Sequence, residues 1–131
     1  MQLQLEFADS EVSRVHLGPD GLTVRFSAAQ VYQCRDSTPI TETAGYSRDV
    51  ELWLSGADIS MPGGHCFGRV SVGRLELNGG WLKRIPLPFQ GQGPVRLEFA
   101  FANGSEFSVS GSAIECRFNG EPNFAESLFC F

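Results

Sequence analysis

Residues 95–109 read VRLEFAFANGSEFSV, and this stretch indicates the fold class more clearly than any other part of the chain. Apolar residues occupy every second position from Val95 to Phe101, which is the pattern of a strand with one buried face. The Asn-Gly pair at 103–104 is a strong hairpin signal because both residues tolerate positive φ, and the alternation resumes beyond it. The stretch therefore predicts an antiparallel β-hairpin.

The same alternation recurs on both sides of this hairpin. Further alternating segments lie at residues 3–7, 15–17, 22–26, 50–54, 70–77 and 114–118, with turn signals at 18–21, 78–80 and 119–120. Short strands at about ten-residue spacing predict an all-β fold: an antiparallel β-sandwich or flattened β-barrel of roughly 8–11 short strands. At most one short helix is expected. Because no linker or repeat divides residues 1–131, the sequence predicts a single domain.

Local irregularities add detail to this prediction. Val70 and Val72 lie at even-numbered positions, whereas Leu75 and Leu77 lie at odd-numbered ones. A β-bulge at Gly73 would return all four side chains to one inward face.

The remaining breaks in the pattern concern the edges of the sheet. Pro86 and Pro88 cannot donate hydrogen bonds to a ladder, so their segment is expected to be an edge strand or an extended connection. Residues 28–34 read as a strand and residues 35–48 as a loop. The apolar residues 124–131 are expected to dock into the sheet, since a frayed terminus is usually polar.

Composition excludes several classes of function. The formal net charge is −5 and the pI is about 4.9, whereas nucleic-acid binders usually present a basic face. No apolar run approaches the roughly 20 residues of a membrane helix, and no secretory signal is visible, so the expected compartment is the cytoplasm. The four cysteines are then expected to be reduced thiols: Cys34, Cys66, Cys116 and Cys130. An acidic surface would suit a basic protein partner.

The sequence predicts no metal site and no cofactor. The best ligand cluster is His65-Cys66, with Cys34 as a further donor, but zinc sites usually carry two close pairs of ligands. Neighbouring side chains on a strand also point to opposite faces. His65 and Cys66 therefore remain weak candidates for a metal site.

Catalysis has equally little support. The chain has neither a G-x-S-x-G elbow nor a phosphate-binding loop, so it is expected not to be an enzyme. If it were one, its site would be sought near Asp58, His65 and Cys66.

Of the two tryptophans, Trp53 is the candidate for binding. Trp53 has the parity of Glu51 and Ser55, which places it on the outer face of its strand, where a large aromatic residue often marks an interface. A strand covered on both faces would instead bury it. Trp81 follows a turn and is expected to cap the core.

The 35–48 loop supplies the other candidate partner-binding residues. Arg35, Tyr46 and Arg48 give it charge and one aromatic ring, as in many recognition loops, although a loop of this kind is also common as a plain insertion.

Three function classes are left. The first is a small cytoplasmic protein-interaction domain, for which one concrete form is a bacterial immunity protein that blocks the basic active site of a toxin. The second is a β-barrel that holds a small apolar ligand among its many Phe and Leu side chains. The third is an enzyme with an unrecognised site. A homodimer is also compatible with the first class, and it would form through the outer side of the strand that carries Trp53 or through an unpaired edge strand.

Overall fold

A computed structural model of the chain describes residues 2–34, 43–57 and 66–118. Within these ranges the chain forms nine β-strands and no helix. The strands are β1 (Gln2–Gly18), β2 (Gly21–Cys34), β3 (Thr43–Ser47), β4 (Val50–Ser55), β5 (Gly68–Leu77), β6 (Gly80–Leu82), β7 (Arg84–Leu87), β8 (Phe89–Phe101) and β9 (Glu106–Phe118). The predicted all-β class is confirmed.

Six of the strands close into an antiparallel barrel. Their order around it is β1, β2, β4, β9, β8 and β5, and β5 then returns to β1. Most neighbours share long ladders, but β1 and β5 pair only at Glu11 with Arg69 and at Val12 with Gly68. Of the two predicted architectures, the flattened barrel describes the molecule better.

Three short strands extend the barrel. β3 pairs with the second half of β2, and β7 pairs with the first half of β1, so the two long strands carry a small sheet beyond the barrel. β6 pairs with the end of β5, and the chain bends at Lys83 before it enters β7. Among the described strands β7 pairs with β1 alone, so the edge position predicted from Pro86 is confirmed.

The predicted turns form where their residues require them. Gly18 pairs with Gly21 across Pro19-Asp20. Leu77 pairs with Gly80 across Asn78-Gly79, whose φ angles of 51° and 87° are those of a type I′ turn. In the β8–β9 turn Gly104 takes a φ of 90°, and its N–H donates to the carbonyl of Phe101 at 3.0 Å.

The core is built from the inward positions of the barrel strands. Five aromatic rings form its centre, with centroids of contacting pairs 5.3–6.3 Å apart: Phe7, Phe26, Phe99, Phe101 and Phe107. Leu5, Val31 and Ile85 continue the core beneath the small sheet, and all three are fully buried. The abundant Phe residues are therefore used in large part for packing.

Two local predictions need correction. A register shift does interrupt the β5–β8 ladder between Val70 and Val72, but it leaves Val72 on the outer face, 58% exposed, while Gly73 turns inward. Gly73 takes the inward place because the side chain of Phe7 leaves no room there for a larger residue. The loop predicted over 35–48 is also wrong in part, since residues 43–47 form β3.

Other expectations fall outside the described ranges. The predicted turn at Asn119-Gly120 and the predicted docking of residues 124–131 belong to this group.

Candidate functional site

An open groove lies on the outer face of the barrel, where β5, β8 and β9 run side by side. Its volume is about 530 Å³, and it is lined by Val72, Arg74, Glu98, Phe99, Ala100, Glu106, Phe107 and Ser108. Phe99 and Phe107 are themselves buried, so the other six residues supply its accessible side chains. We call this feature the Val72 groove.

Two exposed apolar side chains lie at or next to this groove, since Val72 lines it and Trp81 contacts its Arg74. In the described part of the chain, the large apolar residues that are exposed lie between Phe67 and Leu82, and they include Val72 (58% exposed) and Trp81 (42% exposed). Single exposed apolar residues are ordinary, but a cluster beside a groove is typical of a binding surface. The prediction that Trp81 caps the core is therefore wrong. Trp81 lies on β6 and pairs with Glu76 of β5, and among the described strands β6 pairs only with the end of β5.

Arg74 connects the groove to Trp81. Its guanidinium carbon lies 4.1 Å from the centroid of the Trp81 ring, and its Nε and Nη2 each lie 2.7 Å from Oε1 of Glu98. Ser108 donates a hydrogen bond of 3.1 Å to the other oxygen of Glu98. The hydrogen bond from Arg74 holds the pKa of Glu98 below its ordinary value. This chain of contacts restricts the side chains around Trp81 before any partner binds.

Trp53 lies on the outer face of β4, in register with Thr23 of β2 and Glu115 of β9. The predicted parity is thus correct, but the residue is only half exposed because the guanidinium carbon of Arg117 sits 4.2 Å above its ring centroid. The indole N–H is buried and has no hydrogen-bond acceptor among the described residues. Such a group is unusual, since buried donors are nearly always paired.

The other predicted binding residues do not join Trp53. Tyr46 lies on β3 in register with Gln30, whereas Trp53 is in register with Thr23 of the same β2 strand. The seven-residue separation along β2 corresponds to about 23 Å. Arg48 is exposed just after β3, and Arg35 lies outside the described residues.

The weak metal and catalytic candidates gain no support from the described geometry. Cys66 is buried, and its Sγ lies 3.8 Å from the carbonyl oxygen of Glu106. His65 and Asp58 lie outside the described residues, as does the side chain of Cys34. In the described ranges no three His, Cys, Asp or Glu residues are grouped so that they could hold a metal ion.

Cys116 is also a poor candidate nucleophile. Burial, with a smaller contribution from the neighbouring charge of Glu115, raises the pKa of its thiol to about 12. The thiolate form that reacts is therefore scarce at neutral pH.

Two further observations bear on the function classes. The phenylalanine rings occupy the centre of the barrel, so a buried ligand would have to displace them. Within the described ranges there is no helix with the length and apolar character needed to cross a membrane.

Comparisons with protein-family models, curated proteins and solved structures find no match to this chain. The structure defines the protein as an all-β barrel with an aromatic core.

Sequence reasoning missed the Val72 groove for a specific reason. Val72 alternates with Val70 in the sequence, and only the bulge observed between them separates an inward from an outward valine. The shift of the apolar alternation from even to odd positions around Gly73 indicates a bulge, but it does not show which of the two valines points away from the core.

Proposed function

We propose that this protein is a non-enzymatic protein-interaction domain that binds its partner through the Val72 groove. The observation that carries the proposal is the exposure of Val72 and Trp81 beside a fixed Arg74–Glu98 pair. Trp and Arg are the residue types most enriched at interface positions of high binding energy.

Within the described ranges three arginines stack on aromatic rings of the outer surface, and a comparison of these rings favours Trp81 as the binding residue. Arg84 stacks on Tyr32 and Arg117 stacks on Trp53, and both aromatic residues are half-buried. Trp81 stays exposed although Arg74 stacks on it. It is therefore the tryptophan best placed to enter a pocket on another protein.

The groove also suggests the chemistry of the partner. Glu106 is exposed at the groove, and its carboxylate forms no ion pair with any described residue. A partner that presents an apolar side chain next to Lys or Arg would fill the groove and meet this carboxylate. The net charge of −5 favours the same kind of partner.

We place this interaction in the cytoplasm. Cys66 and Cys116 are free thiols in the structure, and a reducing compartment would keep them so. A toxin with a basic active site is one partner of the proposed chemistry.

Site-specific photo-cross-linking tests the proposal. A photoreactive residue would replace Val72 in one variant and Ser13, which is exposed on β1, in a control variant. We expect one discrete cross-linked protein from position 72, no product from position 13, and loss of the product when Trp81→Ala is added. Equal products from both positions, or a product that survives Trp81→Ala, would contradict the proposal. A product with twice the mass of the chain would show that the partner is a second copy of this protein and not a basic protein.

A further inference from the structure

A second surface of different chemistry surrounds Trp53. Residues that pair across antiparallel strands share one face of the sheet, so the ladders place Thr23, Trp53, Glu115 and Gln90 in a row across β2, β4, β9 and β8. Adjacent strands lie about 4.8 Å apart, so the part of the row from Trp53 to Gln90 spans about 10 Å. We call this row, with the flanking Gln92 and Arg117, the Trp53 face.

Two open grooves lie on the β8–β9 part of the Trp53 face, and Trp53 lies outside the lining of both. One open groove of about 470 Å³ runs along residues 88–90 and 115–118, and a second of about 370 Å³ runs along residues 90–92 and 113–115 with Ser55. Both grooves are bordered by Gln90 and Glu115. A ligand that followed the row would therefore contact both of these side chains.

The polar groups on this face are rich in hydrogen-bonding capacity and neutral in sum. Arg25 and Glu51 form a neighbouring cross-strand pair, and the charges of Arg117 and Glu115 also cancel. The side chains of Gln90 and Gln92 are exposed, and neither has a hydrogen-bond partner among the described residues. Each amide can donate and accept at once.

Trp53 adds an aromatic surface to this polar set. Its indole N–H has no acceptor within the described residues, and the guanidinium carbon of Arg117 lies 4.2 Å from its ring centroid. Arg117 is held by Glu115 at 3.3 Å, and its side chain is 52% exposed. Exposed cation–π contacts and exposed ion pairs are both weak, so a ligand can displace Arg117 from the ring.

We propose that the Trp53 face binds a neutral oligosaccharide. Sugar hydroxyls both donate and accept, which matches two glutamine amides and a carboxylate, and the C–H face of a sugar ring packs on indole. A protein partner fits this face less well, because interface cores are apolar and Trp53 is the only large apolar side chain in the row. This site is independent of the Val72 groove.

NMR spectroscopy of the ¹⁵N-labelled full chain provides the test, because the two tryptophans give two indole N–H resonances. Maltohexaose, cellohexaose and xylohexaose would each be titrated to millimolar concentrations. We expect at least one of them to shift the Trp53 resonance in a saturable manner while the Trp81 resonance stays in place. The Trp53→Phe variant assigns the two signals.

Matched glutamine variants then locate the site. Gln90→Ala should weaken binding about fivefold, as expected for loss of one hydrogen bond, whereas Gln4→Ala on β1 should leave it unchanged. Absence of a saturable shift with all three sugars would overturn the proposal. Equal affinity in Gln90→Ala would also overturn it, and so would tighter binding of an acidic oligosaccharide such as hexagalacturonic acid.

Discussion

Ser10 of β1 accepts a hydrogen bond of 2.8 Å from the backbone N–H of Gln30 on β2 and donates one of 2.6 Å to the carbonyl of Glu6. The contact spans a break in the β1–β2 ladder, whose regular pairing stops at Glu6 and resumes at Glu11. Ser10 is fully buried. Its hydroxyl thus replaces the missing ladder contact where the long first strand bulges.

The Ser10→Ala variant should be markedly less stable than the wild type. It leaves the N–H of Gln30 without an acceptor, and an unsatisfied buried donor costs about 1–3 kcal/mol. Urea denaturation followed by circular dichroism would measure the free energy of unfolding. Ser13→Ala, at an exposed position of the same strand, should change it by less than about 0.5 kcal/mol. Equal stability of the two variants would contradict the role given to Ser10.

The Gly73→Ala variant should be destabilised by overpacking. A Cβ at Gly73 would collide with the Cβ of Phe7 and lie 3.1 Å from ring atoms of Phe99. Inserting a methyl group into a filled core typically costs about 1–3 kcal/mol. At Gly80 the nearest atom to such a Cβ is 3.7 Å away. Gly80→Ala should therefore leave the melting temperature unchanged or slightly raised, and a similar loss in both variants would show that crowding is not the cause.

Cys116 should resist alkylation in the folded protein. The pKa of its thiol is raised to about 12 because burial disfavours the thiolate. We expect iodoacetamide at pH 8 to label Cys116 only after unfolding in guanidinium chloride, as followed by peptide mass spectrometry. Native labelling at the rate of a small thiol such as glutathione would contradict this expectation.

The Arg74–Glu98 pair should lose its contribution to stability in acid. The pKa of Glu98 is lowered in the folded state from its ordinary value of 4.5, chiefly by the hydrogen bond from Arg74. A lowered carboxyl pKa contributes stability above the unfolded value, and this contribution disappears as pH falls through the folded value. Between pH 7 and pH 3 the wild type should lose more stability than Glu98→Gln. Parallel losses in the two proteins would exclude a contribution from this pair.

Removal of Arg74 should uncover Trp81. Because its guanidinium lies over one face of the ring, Arg74→Ala is expected to increase quenching of tryptophan fluorescence by acrylamide, a neutral quencher that does not respond to the loss of the positive charge. Arg84 stacks on Tyr32, so Arg84→Ala should leave tryptophan quenching unchanged. A rise of the same size in both variants would point to a general loosening of the barrel.

The sequence predicted the local features of the fold well, for a physical reason. Alternation and turn chemistry act over a few residues, and they located β8, β9 and the turns at 19–20, 78–79 and 103–104 correctly. Closure of the barrel could not be predicted, since pairing of Glu11 with Arg69 depends on packing between distant strands.

The candidate sites show the same limit. The outer position of Trp53 followed from parity, but the stacked Arg117 did not, because it comes from a strand far along the chain. Trp81 was assigned to the core from its place after a turn. Its strand β6 pairs, among the described strands, with β5 alone, and this pairing places Trp81 at the margin of the sheet.

The narrow junction of β1 and β5 has a consequence for the order of folding. The β1–β2 and β8–β9 hairpins close short loops, whereas β1 meets β5 only after β2, β3 and β4 have intervened along the chain. Joining β1 to β5 costs the conformational entropy of the long intervening chain, and only the two residue pairs of this junction compensate for that cost directly. We therefore expect the ring to close late from a curved open sheet. In pulsed hydrogen exchange during refolding, the amides of Gly68 and Arg69, which pair with β1 and lie outside the β5–β8 ladder, should then become protected after those of either hairpin.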